Sequence, residues 1–132
     1  MAIDEINARG GVLGRPLALA SEYNQSKPGD SATVAKKLIS REKVVASVGT
    51  GGSSNCLEIA PIAQAAKVPL VATTSTAPEL TEKRNYIFRS CFIDPFQGTV
   101  LAKFATQSLK AKRIAVLTSV SSSFSVALSK AL

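Results

Sequence analysis

Two short polar stretches hold most of the chemistry this sequence could do. "GTGGSSN", residues 49–55, and "TTSTAPE", residues 73–79, each follow an apolar run and gather glycines and hydroxyls where that run ends. Ser53, Ser54 and Asn55 stand at the start of a helical pattern, where free N–H groups and the helix dipole favour an anion such as a carboxylate or phosphate. Thr73, Thr74, Ser75 and Thr76 form a row of neutral groups that both donate and accept hydrogen bonds. Simpler accounts exist for each stretch: Ser53 or Asn55 could cap the helix, and the hydroxyl row could be a loop bonded to itself. Two such polar ends on consecutive strands, neither with a charge or a base, favour a binding site.

Other chemistry is short of parts. Histidine is absent, which removes the commonest general base and metal ligand. Cys56 and Cys91 are isolated, with no C-x-x-C pair, so two free, partly buried thiols are expected and no metal cluster. Gly49 and Gly51 fit the first two glycines of G-x-G-x-x-G, but Ser54 occupies the third place. Thr73 and Thr74 end the next strand where an acid would take a ribose. No cofactor is therefore expected. Serines are plentiful, yet none has a His or a placed Lys as partner, so the chain is not read as an enzyme. The net charge of +7 comes from spread residues, including Lys36, Lys37, Arg41, Lys43, Lys103 and Lys112. No aromatic platform interleaves them, which points to a solvated basic surface rather than nucleic-acid binding.

The elements that must position these stretches follow from periodicity. At 132 residues, 45% hydrophobic, the chain has the size and composition of one domain with a core built from Ala, Val, Leu and Ile. No apolar run approaches the roughly 18 residues of a membrane span. The opening "MAIDEINARGG" reads as the tail of a helix stopped by glycines, without the apolar core of a leader peptide. Residues 16–22 alternate as a strand, and Asp30 is placed to cap a helix over 31–42. The 44–48 run is apolar on both faces, which suits a central parallel strand covered by helices on both sides. The glycine-rich turn then enters a helix in which Pro61 predicts a kink or an irregular first turn. Further strands are expected at "VPLVATT" and "RIAVLTS", a short extended piece at "NYIFRS", and helices over 95–110 and from "SSSFS" onward. Strands alternating with helices mean right-handed βαβ units, so the fold class is α/β: a three-layer parallel sheet with helices on both faces. In such sheets ligands bind outside the carboxyl ends of the strands, where both polar stretches fall.

Three segments resemble a known family: "AIDEINARGGVLGRPLALASEYNQSKPGDSATVAKKLI", "APIAQAAKVPLVATTSTAPELTE" and "YIFRSCFIDPFQGTVLAKFA". They are similar to the amino-terminal region of the periplasmic solute-binding proteins of branched-chain amino acid ABC transporters, from Ala2 to about Leu117. The resemblance implies two α/β lobes that close on a ligand, with residues 1–90 in the first lobe and 91–132 forming the crossover and the beginning of the second. It implies that Ser53 and nearby N–H groups hold an amino acid's carboxylate. The carbonyl of Thr74 and the hydroxyl of Thr76 take its ammonium; Ser54 and Ser75 complete the ligand-binding set. An ABC-transporter permease would be the partner of the full-length protein, and the periplasm its location. The alternative is a ligand-sensing domain of a regulator or receptor with the same fold.

Departures from the family pattern matter too. Where some members carry a disulfide between loops, Ser26 and Gly52 stand here, so that bridge is not expected. Thr118, Ser119 and "SSFS" replace residues common in the family, and no role is carried onto them. The resemblance also implies a first strand preceding this chain's first helix, lying between the strands at 16–22 and 44–48, and most of a second lobe beyond residue 132. The chain is accordingly expected to be a fragment with open sheet edges, and to associate as a homodimer or higher oligomer.

Overall fold

The computed structural model describes residues 2–132, in the order α1 (Ala2–Ala8), α2 (Pro28–Ser40), β1 (Ser47–Val48), α3 (Ser53–Ala66), β2 (Leu70–Ala72), a 3-10 turn at Pro78–Leu80, β3 (Ile87–Arg89), α4 (Asp94–Lys103), a π-helical turn at Phe104–Ser108 and α5 (Ser123–Ala131). The strands form one parallel sheet in the order β1-β2-β3, with Ser47 opposite Leu70 and Leu70 opposite Ile87. The class is α/β, as expected.

The core lies between this sheet and α3. On β2 the side-chain alternation sends Leu70 and Ala72 to the buried face, and Ile87 joins them from β3. Against them α3 presents Cys56, Ala60 and Ala63, which share one face of a helix and are small enough to let its backbone lie close to the strands. Leu80 closes the end of this layer. Leu70 and Leu80 are wholly buried, a gain of roughly 1.5–3 kcal/mol each over exposure. Ile39, Leu57 and Ile59 pack around the cluster, Ile39 coming from α2. On the opposite face Val48, Val71 and Phe88 stand in register and remain 78%, 37% and 49% exposed, so the helices α2 and α3 cover one side only.

Several expectations are corrected. Residues 16–22 join no ladder and form no strand; the nearest pairing is a single bridge between Val12 and Arg15. The side chain of Asn7 stands in for a neighbouring strand there: its Oδ1 accepts from the Leu17 N–H at 2.7 Å and its Nδ2 donates to the Leu17 carbonyl at 2.9 Å. The strand expected at 44–48 shortens to Ser47–Val48 and lies at the sheet's edge, because among the described residues no strand pairs with its outer side. Residues 113–119 form no strand either, for the same reason, and Ile114, Val116 and Leu117 are exposed rather than buried. The helix predicted at 31–42 starts at Pro28, whose fixed φ suits a first helical residue; Lys27 precedes it, and Asp30 lies inside the first turn instead of capping. α3 continues through Pro61 without interruption, with that residue on its exposed side.

Beside the free edge of β1 runs an apolar groove of about 170 Å³, walled by Val34, Ala35 and Leu38 of α2 and by the 22–24 segment. The later part of the chain is joined to the sheet where α5 touches α3 and where Asp94 bonds Thr76, while α5 itself packs chiefly on α4. A Cβ at Gly98 would come within 2.5 Å of the Ala131 carbonyl, so only glycine permits that approach. Among the described residues no helix is long and apolar enough to cross a membrane.

Candidate functional site

An open cavity of about 390 Å³ lies at the carboxyl ends of β1 and β2. Ligand pockets span roughly 300–1,000 Å³, so a small molecule fits. One wall is Gly52, Ser53, Ser54, Asn55 and Thr74, and the other is Ser121, Ser122 and Phe124. Every side chain in its lining is uncharged.

The first wall is built by the turn into α3. Gly52, at φ 87°, takes the N-cap position, so no side chain caps the helix and Ser53 opens its first turn. The simpler account, that Ser53 or Asn55 is present merely to cap, does not hold: Asn55 donates to the Gly51 carbonyl at 3.3 Å, and Ser53 faces the hydroxyl-row loop. Ser53 is buried, and its Oγ accepts from the Ala77 N–H at 3.3 Å, which leaves the hydroxyl proton for a further acceptor. Asn24 links the neighbouring loop to this turn through Thr50 at 3.4 Å, and Ser26 lines the same cavity as Gly52. The two loops that a disulfide was not expected to join are thus brought side by side by polar contacts.

The opposite wall is the start of α5. Ser122 caps it, accepting from the Ser125 N–H at 3.3 Å. Ser54 bridges the walls: its Oγ accepts from the Ser123 N–H at 3.1 Å and donates to the Ser123 Oγ at 3.2 Å. Two helix amino termini, of α3 and α5, therefore converge on one hydroxyl-lined space, where their partial positive charges add.

The hydroxyl row divides into two pairs. Thr73 and Thr74 are exposed, and Thr74 lines the cavity. Ser75 and Thr76 are buried behind it. The Ser75 hydroxyl lies beside the Cys56 sulfur without forming a hydrogen bond of good geometry. Thr76 donates to Oδ1 of Asp94 at 2.6 Å. Arg89 holds the loop from below, donating to the carbonyls of Ser75, Ala77 and Pro78 and to the Thr81 hydroxyl. That fixed fork of donors orders four acceptors of an otherwise irregular segment. Burial pushes the Cys56 thiol above its ordinary pKa; the adjacent Ser75 hydroxyl lowers it somewhat, and Cys91 raises it further. Among the described residues no group of three potential ligands could hold a metal ion.

The structure thus brings Ser53, Ser54 and Thr74 to one cavity and sets Ser75 and Thr76 in the layer behind it. Sequence reasoning missed Asp94, Arg89 and the serines at 121–123. The repeated serines before a helix were a signal for the last; nothing in the sequence ties Asp94 or Arg89 to a loop many residues away.

The whole chain, residues 1–132, matches a family model described as periplasmic binding protein. It is 32% identical over 117 residues to an amino acid binding protein of Pseudomonas aeruginosa, covering 88% of this chain and 31% of that protein. It is 36% identical over 119 residues to that organism's leucine-, isoleucine-, valine-, threonine- and alanine-binding protein, with 89% and 31% covered. Among solved structures, the leucine binding protein LivK from Thermotoga maritima superposes with a TM-score of 0.91 at 42% identity, over 95% of this chain and 36% of that one. The branched-chain amino acid transporter substrate binding protein LivJ from Streptococcus pneumoniae, in complex with isoleucine, gives 0.94 at 32% identity, over 98% and 37%. The chain spans about a third of the length of these relatives.

Proposed function

This chain belongs to the periplasmic binding protein family, and from that premise we propose that it is part of a solute-binding protein that captures an amino acid for an ABC importer. The observation that carries the reading is the uncharged, hydroxyl-lined cavity on which the first turns of α3 and α5 converge. Neutral donors and acceptors can hold a zwitterion without burying an unpaired protein charge, and the cavity lining offers no base or nucleophile pair for catalysis.

In this proposal Ser53 and Ser54, with the N–H groups of the first turn of α3, take the carboxylate. The Thr74 carbonyl and the Thr76 hydroxyl take the ammonium, with Ser75 holding the loop between them. Residues 1–90 belong to one lobe and 91–132 begin a second; the remaining groups that read the ligand's side chain come from outside this chain. The whole protein works in the periplasm and delivers its ligand to a membrane permease.

The relatives named for leucine, isoleucine and valine binding favour an aliphatic amino acid. Calorimetric titration of the whole protein with a panel of amino acids tests this. Saturable binding of at least one aliphatic member, and none of the amine lacking its carboxylate, is expected. Binding of a nucleotide and of no amino acid would overturn it.

The isolated chain associates with itself in this reading. The free edge of β1 and the exposed Phe96, Val100 and Phe104 are apolar surface that a second copy would cover. Light scattering at micromolar concentration is expected to give a dimer or larger species, and a monomer would refute it.

A further inference from the structure

We infer that copies of this chain join head to tail, the 113–118 segment of one adding as a strand to the free edge of β1 in the next. This names the contact behind the self-association proposed above and rests on that reading. One side of β1 is unused. The N–H groups of Ser47 and Gly49 donate to the carbonyls of Pro69 and Val71, on the β2 side, so by the alternation of a strand the N–H and C=O of Val48 point outward. The groove of about 170 Å³ beside that edge is lined by Ala35, Leu38 and Ile39 of α2, and Glu22 is its one charged lining residue.

One segment of the molecule has the complementary lack. Among the described residues no backbone N–H or C=O of residues 113–118 takes part in a hydrogen bond. Unpaired backbone flanked by apolar side chains is a template for strand addition. Ile114 and Val116 fall on one face of an extended chain and are 55% and 50% exposed. Set along the outer edge of β1, that face covers the groove, while Ala115 and Leu117 turn to the open side of the sheet beside Val48. Lys112 and Arg113 head the segment, and their basic charge suits a groove whose one charged side chain is an acid.

The other unpaired stretch, residues 16–22, is a poorer candidate, because Asn7 already takes both the N–H and the carbonyl of Leu17. In its own copy the 113–118 segment is tethered along α5 instead of the sheet. The Thr118 hydroxyl pairs with that of Ser129, and the Ser119 N–H donates to the Ser125 Oγ. The β1 it meets is therefore that of a second copy. Each copy carries one strand and one edge, so the contact is heterologous and either closes into a dimer or ring or extends.

Two proline substitutions, followed by sedimentation velocity of this chain, test the contact. Val116→Pro removes a strand N–H that nothing in the single chain uses, and Val48→Pro removes an outward N–H at an edge position, where proline is carried. Each should weaken self-association at least about tenfold, since each deletes a ladder bond and brings a ring against the partner strand. Mixed together, the two variants should form an equimolar complex, because the intact edge of one accepts the intact strand of the other. Variants that associate as wild type does, or a mixture that stays monomeric, overturn the proposal while leaving self-association standing. Should Val48→Pro fail to fold, a synthetic peptide of residues 112–119 replaces the mixture. It should dissociate wild type, and the same peptide carrying Val116→Pro should not; a peptide without effect, or two peptides of equal effect, overturns the proposal. Wild type that is itself a monomer refutes the self-association reading and this contact with it.

Discussion

"VPLVA" at 68–72 and "RIAVL" at 113–117 are nearly interchangeable as sequence, yet the chain treats them in opposite ways. The first lies between β1 and β3 with α3 above it, and Leu70 and Ala72 are wholly buried. The second has no neighbouring strand, and Ile114, Val116 and Leu117 are 55%, 50% and 99% exposed. The lesson is that an apolar run becomes a strand only when another strand can take its N–H and C=O groups and a helix can cover its face. The same contrast separates the residue 28–91 region, which has a core, from residues 92–132, whose α4 and α5 pack mainly on each other.

The largest test of that contrast is a pair of truncations measured by urea unfolding of this chain. Leu80→Ala should cost about 2–5 kcal/mol, because it opens a cavity in the cluster around α3. Leu117→Ala should change stability by less than about 0.5 kcal/mol. Comparable losses at both positions would erase the distinction between the two regions.

The cleft between them gives the next largest effect. In the whole protein Ser53→Ala should weaken amino-acid binding by about 1.5–3 kcal/mol, the range for a hydrogen bond to a charged group, and calorimetry reads it directly. Unchanged affinity would remove Ser53 from the site. Smaller still is Ser54→Ala, which removes both bonds to Ser123 at the seam. A loss of about 0.5–1.5 kcal/mol is expected in urea unfolding, since two neutral, partly exposed bonds are at stake. A loss above the Leu80→Ala value would show that the seam, and not the α3 cluster, holds this chain together.

The mildest test uses the two cysteines of the first region, Cys56 buried in its core and Cys91 half-buried at its far end. The raised pKa of Cys56 means less thiolate at any pH below it, and burial blocks access as well. Cys91, half-buried, should therefore be alkylated first, with Cys56 following only on unfolding. Mass spectrometry after a pulse of iodoacetamide at neutral pH would reveal the order, and equal labelling would contradict the packed state of the α3 face.

Much of the fold was legible because it is local. The start of α3 after the glycines, the buried alternation on β2 and the extended piece at β3 all follow from residues within a few positions of one another. The hydroxyl row and the serines at 53–54 were legible as polar ends of strands for the same reason. What failed was whatever needed a neighbour: residues 16–22 and 113–119 carry strand patterns but find no ladder. Pro61 was read as disruptive, although a proline on the exposed face of a helix can be carried when the opposite face is well packed.

Composition and spacing alone determined that this chain is α/β, that it has no histidine, and that its small polar residues cluster where apolar runs end. Those properties depend on residue type and on the periods of helix and strand, which a sequence states directly. Only the tertiary structure decided that the hydroxyl row splits into an exposed and a buried pair, and that Thr76 turns to Asp94 while Arg89 gathers the carbonyls of its loop. It also set the start of α5 against Ser54. These contacts join residues 12 to 69 positions apart, and hydrogen bonds of that kind are fixed by how the elements pack, which no local pattern encodes.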